Sequence, residues 1–186
     1  MIEVRLRVPQ LGIGLWPAAW MVGTSTATWP AKGEIDMMEM GHSAQGRAEA
    51  GHPGADINSY VGANAIFYAD AACVPQNPTC AAMTAWQTDN AYVAAQPLSN
   101  RFVTYRTYWT DSQLRFTVID NGVEYDMYDA PISITEESSE LQQPFYLLFN
   151  MAVGGNFTDA ATNAQVSAPL PAKMYIDYVR VYRKDA

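Results

Sequence analysis

Residues 114–128, LRFTVIDNGVEYDMY, read as two antiparallel strands joined by a two-residue turn. Asn121-Gly122 supplies the positive φ angles that so tight a turn demands, and the flanking runs carry the β-branched and aromatic side chains that fit a pleated surface. Runs of the same kind lie outward along the chain, at 2–8 (IEVRLRV), 34–40 (EIDMMEM), 101–109 (RFVTYRTYW), 145–153 (FYLLFNMAV) and 174–183 (MYIDYVRVYR). In RLRV, TYRTYW and DYVRVYR polar and apolar positions alternate with period two, as in strands with one solvated face. No stretch keeps a 3.6-residue period with caps at both ends. These features predict an all-β chain, a two-sheet antiparallel β-sandwich. Between about Gly41 and Pro97 the alternation weakens and Ala, Gly, Asn and Pro dominate, so long loops and a few irregular strands are expected there.

At 186 residues, with no repeat or linker, the sequence is read as a single domain over 1–186. A 49% share of hydrophobic residues against 16% charged predicts compact folding. The net charge of −8, with no basic run, excludes nucleic acid and anionic membrane surfaces as partners. The longest apolar stretch, Leu15 to Gly23, is too short to span a bilayer and contains a proline, and MIEVRLRV lacks the charged region and cleavage site of a signal peptide. Cys73 and Cys80, in CVPQNPTC, are read as a disulfide closing a small polar loop. His42 and His52 match no common zinc spacing and are assigned a surface role.

The segment richest in chemistry is GEIDMMEMG, residues 33–41, where Glu34, Asp36 and Glu39 fall within a strand that also carries Ile35, Met37, Met38 and Met40. Placing so much negative charge beside core side chains is costly unless it serves a purpose. In a regular strand Glu39 points away from Glu34 and Asp36. One extra residue, a β-bulge between Asp36 and Glu39, restores parity and turns all three carboxylates into one cleft. Two glutamates about 5–5.5 Å apart suit a retaining glycosidase, one as nucleophile and the other as acid then base. An aspartate between them can hydrogen-bond the nucleophile and raise the pKa of the acid. Trp16, Trp20 and Trp29 flank the acids and Trp86 and Trp109 lie further on, offering faces on which pyranose rings stack.

The blocks IEVRLRVPQLGIGLWPAAWMVG, GEIDMMEMGH, PFYLLFNMAVGGNF and PAKMYIDYVRVYR resemble, in order and rough spacing, those of glycoside hydrolase family 16, especially its laminarinase-like endo-β-1,3-glucanases. The resemblance implies a concanavalin A-like β-jelly roll with a substrate cleft across its concave face and a double-displacement mechanism. It implies Glu34 as nucleophile, Asp36 as assisting acid and Glu39 as acid/base, with Trp16, Trp20 and, more weakly, Trp109 as cleft aromatics and Asn150 near the cleft. Asp177 matches the closing-strand ligand of a structural calcium site found in many members; no other cofactor is implied. The bulged ExDxxE form resembles laminarinases, agarases and carrageenases. Two features depart from the pattern. The stretch INSYVGANAIFYAD lacks the histidine usual in laminarinase-like members, and the strands that usually precede IEVRLRVP do not occur. The resemblance therefore implies a domain shortened at its start, with an exposed sheet edge to be covered by rearrangement or a second copy.

The leading expectation is an endo-acting hydrolase of laminarin-type β-1,3-glucan. A marine galactan such as agarose or carrageenan is the alternative substrate, and a lectin-like glycan binder the alternative class. A polysaccharide partner implies an extracellular or periplasmic location. Asn156-Phe157-Thr158 fits the N-glycosylation pattern and is read as a turn.

Overall fold

The computed structural model describes residues 1–67 and 91–183. The expected Cys73–Cys80 disulfide and Trp86 lie outside these residues. The elements are β1 (Ile2–Arg7), β2 (Leu15–Gly23), β3 (Glu34–Glu39), α1 (Ala44–Glu49), β4 (Tyr60–Ile66), β5 (Ala91–Val93), β6 (Val103–Trp109), β7 (Gln113–Asp120), β8 (Val123–Asp126), β9 (Ile132–Ser133), β10 (Phe145–Val153) and β11 (Tyr175–Val181). Among the described residues they form a six-stranded sheet, in order β11-β1-β6-β7-β8 with β9 also on β7, and a five-stranded sheet, in order β10-β2-β3-β4-β5. All strand pairs are antiparallel. No helix among the described residues is long and apolar enough to cross a membrane.

The alternation read from the sequence sets which side chains meet between the sheets. Val4, Leu6, Val103, Tyr105, Leu114, Phe116 and Val118 enter the core from one sheet, and Leu15, Ala19, Met21, Ile35, Val61, Ala63 and Ala65 from the other. The outer face of the six-stranded sheet is covered by charge: Arg106 bridges Glu3 (2.7 Å) and Glu124 (2.9 Å). The β7–β8 hairpin turns on Asn121 (φ 51) and Gly122 (φ 82), with Asp120 opposite Val123. β10 and β11 are edge strands, and Tyr146, Val153, Ile176, Val179 and Val181 on them stay exposed.

Three elements inside the span expected to be loop-rich, or left without an assignment, are regular. β4 carries small apolar residues on both faces, because it lies between β3 and β5 under a groove, so it shows no polar alternation. α1 buries no residue and leaves no apolar stripe in the sequence. β2 contains Pro17, which lies beyond the last β2–β3 register pair, Ala18 with Glu39.

Gly41 ends β3 at φ +98, and a Cβ there would lie 2.1 Å from the Leu15 carbonyl oxygen. No side chain fits that approach, and the positive φ adds strain. Gly41→Ala is expected to lower stability by about 3 kcal/mol or more, read as a drop in the urea unfolding midpoint.

Candidate active site

The site is built on the register of β3. Glu34 pairs with Ile66, Asp36 with Asn64 and Glu39 with Gly62 on β4; on β2 their partners are Val22, Trp20 and Ala18. From Asp36 to Glu39 β3 advances one residue further than either neighbour, which is a β-bulge. The consecutive Met37 and Met38 consequently both turn into the core, with 1% and 0% exposure. Glu34, Asp36 and Glu39 are left together on the outer face of the five-stranded sheet, where they line a groove of about 500 Å³.

Two tryptophans hold the outer carboxylates. Trp29 Nε1 donates to Glu34 Oε2 (3.0 Å), and Trp16 Nε1 donates to Glu39 Oε1 (3.0 Å). Asn64 Nδ2 reaches the other oxygen of Glu39 at 3.3 Å. Asp36 shares a hydrogen bond with Glu34. Burial pushes Asp36 well above the usual carboxylate range, and the negative charges of Glu39 and Glu34 push it further, so Asp36 is the protonated partner and donates to Glu34. Burial likewise raises Glu34 to about 7 against the hydrogen bonds from Trp29 and Asp36. Glu39 also rises to about 7, chiefly by burial, with the Trp16 and Asn64 bonds opposing and the Glu34 charge adding. A site of this kind keeps one carboxyl ionised and another protonated near neutral pH, the division of labour that acid-assisted nucleophilic displacement requires.

One groove wall is aromatic. Phe157 stacks on Trp16 with ring centroids 4.2 Å apart, and His42 packs between Phe157 (4.0 Å) and Tyr60 (4.7 Å). α1 supplies another part of the lining through Ser43, Gln45, Gly46 and Glu49; Ser43 caps it by accepting from Gly46 N, and Asp159 accepts from Ala44 N.

Trp20 and Asn150 lie toward β10 on the same sheet, and the Trp20 indole donates to Asn150 Oδ1 (2.7 Å); neither is among the residues that line the groove. Three expectations are corrected. Trp109 belongs to the other sheet, where its indole donates to the Leu141 carbonyl (2.9 Å) and its ring meets Phe145 edge-on, so it is a packing residue. His42 lines the groove and is half-buried, because the turn at Gly41 folds the chain back over the end of β3. The Asp177 carboxylate is paired with Arg5 on the adjoining strand, and no cluster of three or more His, Cys, Asp or Glu suited to a metal occurs among the described residues. A guanidinium against the anticipated ligand does not fit calcium there.

Sequence reading missed Asn64, Tyr60 and Phe157 as lining residues. A signal for two of them was present: alternation from Tyr60 places Tyr60, Gly62, Asn64 and Ile66 on one face of β4. Asn156 also lines the groove, while Thr158 is buried and ties the turn by donating to Gly155 O and accepting from Ala160 N.

A β-sandwich that buries a carboxylate cluster in an aromatic-walled groove on one sheet has the arrangement that glycoside hydrolysis by two carboxylates uses. Comparison with known proteins narrows the class. A family model described as "XgeA-like, catalytic GH16 domain" matches residues 2–92. The chain is 30% identical to glucan endo-1,3-beta-glucosidase A1 of Niallia circulans, an alignment covering 98% of this chain and 24% of that protein. It is 31% identical to keratan-sulfate endo-1,4-beta-galactosidase of Sphingobacterium multivorum, over 98% of this chain and 36% of that protein. Its structure matches the Bacteroides ovatus mixed linkage glucan GH16 protein in complex with its G4G4G3G product, with a TM-score of 0.71 and 28% identity over 96% of this chain and 67% of the other. The chain belongs to glycoside hydrolase family 16. It spans well under half the length of either curated relative.

Proposed function

We propose that this protein is an endo-acting β-glucan hydrolase that cleaves β-1,3 linkages of laminarin-type polysaccharide with retention of anomeric configuration. The observation that carries the reading is the bulge in β3, which sets Glu34, Asp36 and Glu39 on one face of the groove. The protonated Glu39 donates its proton to the glycosidic oxygen as the C1–O bond breaks, and the ionised Glu34 attacks C1 to form a glycosyl ester. Glu39, now a carboxylate, takes a proton from water as the water oxygen attacks C1, and Glu34 is released. Asp36 keeps its proton throughout and steadies Glu34 through the hydrogen bond between them. Trp29 and Trp16 fix the two glutamates in place.

Two features favour a neutral glucan. None of the described residues lining the groove is cationic, and Glu49 adds a further carboxyl, so a sulfated chain meets no counter-charge there. The names of the glucanase relatives point the same way. The proposed substrate implies a location outside the cytoplasm, in the medium or the periplasm, since such chains do not cross membranes intact.

Proton NMR of laminarin digestion tests the reading: the first-formed reducing end is expected as the β-anomer, mutarotating later to α. Initial α-product overturns retention, and no release of sugar from any β-glucan overturns the activity. In a parallel panel, carrageenan and keratan sulfate are expected to be cleaved at least about 100-fold more slowly than laminarin.

A further inference from the structure

His42 lines the groove, and the displacement above leaves its imidazole unused. It lies three residues after Glu39, just past Gly41, whose φ of +98 turns the chain at the end of β3. It forms the middle of a continuous aromatic wall, Tyr60–His42–Phe157–Trp16, whose last member donates to Glu39.

The ring is neutral. Burial, and then the charge of Arg47, push its pKa down to about 3, and the Arg47 guanidinium donates to the His42 carbonyl oxygen. A neutral imidazole carries one N–H. Nδ1 is enclosed without a hydrogen-bond partner, and an unpaired lone pair is tolerated there better than an unpaired N–H, which leaves the proton on Nε2. Among the described residues nothing accepts from that N–H, and Nε2, unlike Nδ1, is not enclosed, so it opens to the groove. Water meets such a donor in the free groove, and a ligand that displaces the water must supply an acceptor or leave the donor unpaired; sugar hydroxyls are the acceptors that a neutral glucan brings.

We propose that His42 is a substrate-binding residue, donating from Nε2 to a hydroxyl of the glucosyl unit that lies against the Trp16–Phe157 wall beside Glu39. The proposal rests on the β-glucan reading. It makes His42 a source of selectivity: a unit that presents no oxygen at that position leaves the donor unpaired and binds less well.

The test separates binding from turnover. In a Glu34→Gln background, calorimetric titration with laminaritetraose reads affinity without hydrolysis. His42→Phe in that background keeps an aromatic ring between Tyr60 and Phe157 and removes the donor; its Kd is expected to rise about tenfold with an unchanged thermal midpoint. His42→Gln, which restores an N–H, is expected to regain part of the loss. Equal affinity in His42→Phe overturns the role. A weaker His42→Phe with a lowered thermal midpoint and no recovery in His42→Gln also overturns it, since it assigns the effect to wall packing. Absence of tetrasaccharide binding in the parent Glu34→Gln protein overturns the glucan reading, and the proposal with it; that failure is visible before any change at position 42.

Discussion

Glu34→Ala is expected to lose about 10⁴-fold or more in kcat on β-1,3-glucan, with little change in KM and no loss of fold. Glu34 is the carboxylate that two donors, Trp29 and Asp36, steady in its ionised form, and the groove offers no second group at its place on β3. Without it no glycosyl ester forms, and a water must attack C1 unaided from the face Glu34 occupied. Stability is expected to hold or rise, because the substitution removes a half-buried carboxyl that is costly to bury and whose charge repels that of Glu39. The side chain it removes fills no part of the core, which lies on the opposite face of β3 with Ile35, Met37 and Met38. Initial rates on laminarin, paired with a thermal melt, measure both quantities. A rate within tenfold of the parent would sink the assignment of Glu34 as nucleophile.

The parts of this site that could be read from sequence are those set by period-two alternation and by charge in an apolar setting. Glu34, Asp36 and Glu39 stood out because Met37, Met38 and Met40 around them marked a core strand, and a bulge was the one geometry that reconciled three acids with a single face. The register carries that extra residue. The hairpin at Asn121-Gly122 was legible for the same local reason, since its turn residues take the φ angles the motif demands. What could not be read depends on contacts distant in sequence. The His42 ring is enclosed by Tyr60 and Phe157, the latter from the turn after β10, and nothing in GHSAQG announces that neighbour. Trp109 looked like Trp16 in composition and differs only in which sheet its strand joins, a matter of topology. Asp177 matched a calcium ligand in sequence alone, and only the pairing of β11 with β1 shows Arg5 beside it.

Glu39→Gln is expected to separate catalysis from stability, with opposite signs at pH 8. Burial raises the Glu39 pKa from 4.5 to about 7, so the folded protein holds this proton more tightly than the unfolded chain does. The stabilisation from that proton is complete below about pH 4.5 and is lost as pH rises through about 7, where the native state must carry a buried negative charge beside Glu34. Asp36, also raised, adds a dependence of the same sign. The glutamine is neutral at every pH, and its amide oxygen can still accept from Trp16. The variant is therefore expected to match the parent in stability near pH 4 and to exceed it by roughly 3 kcal/mol at pH 8, a gap that urea unfolding across that range would display. Its activity moves the other way. Loss of the acid costs about 10²–10⁴-fold on laminarin. An aryl β-glucoside oligomer with a dinitrophenolate leaving group needs no protonation to depart, so its first step is expected to proceed at close to the parent rate. The parent's kcat/KM on laminarin is expected to fall above about pH 7 as Glu39 loses its proton, whereas glycosyl transfer from the activated substrate in the variant is expected to show no such limb. If the alkaline limb persists in the residual activity of Glu39→Gln on laminarin, the proton donor is a different group and the roles assigned along β3 have to be redistributed.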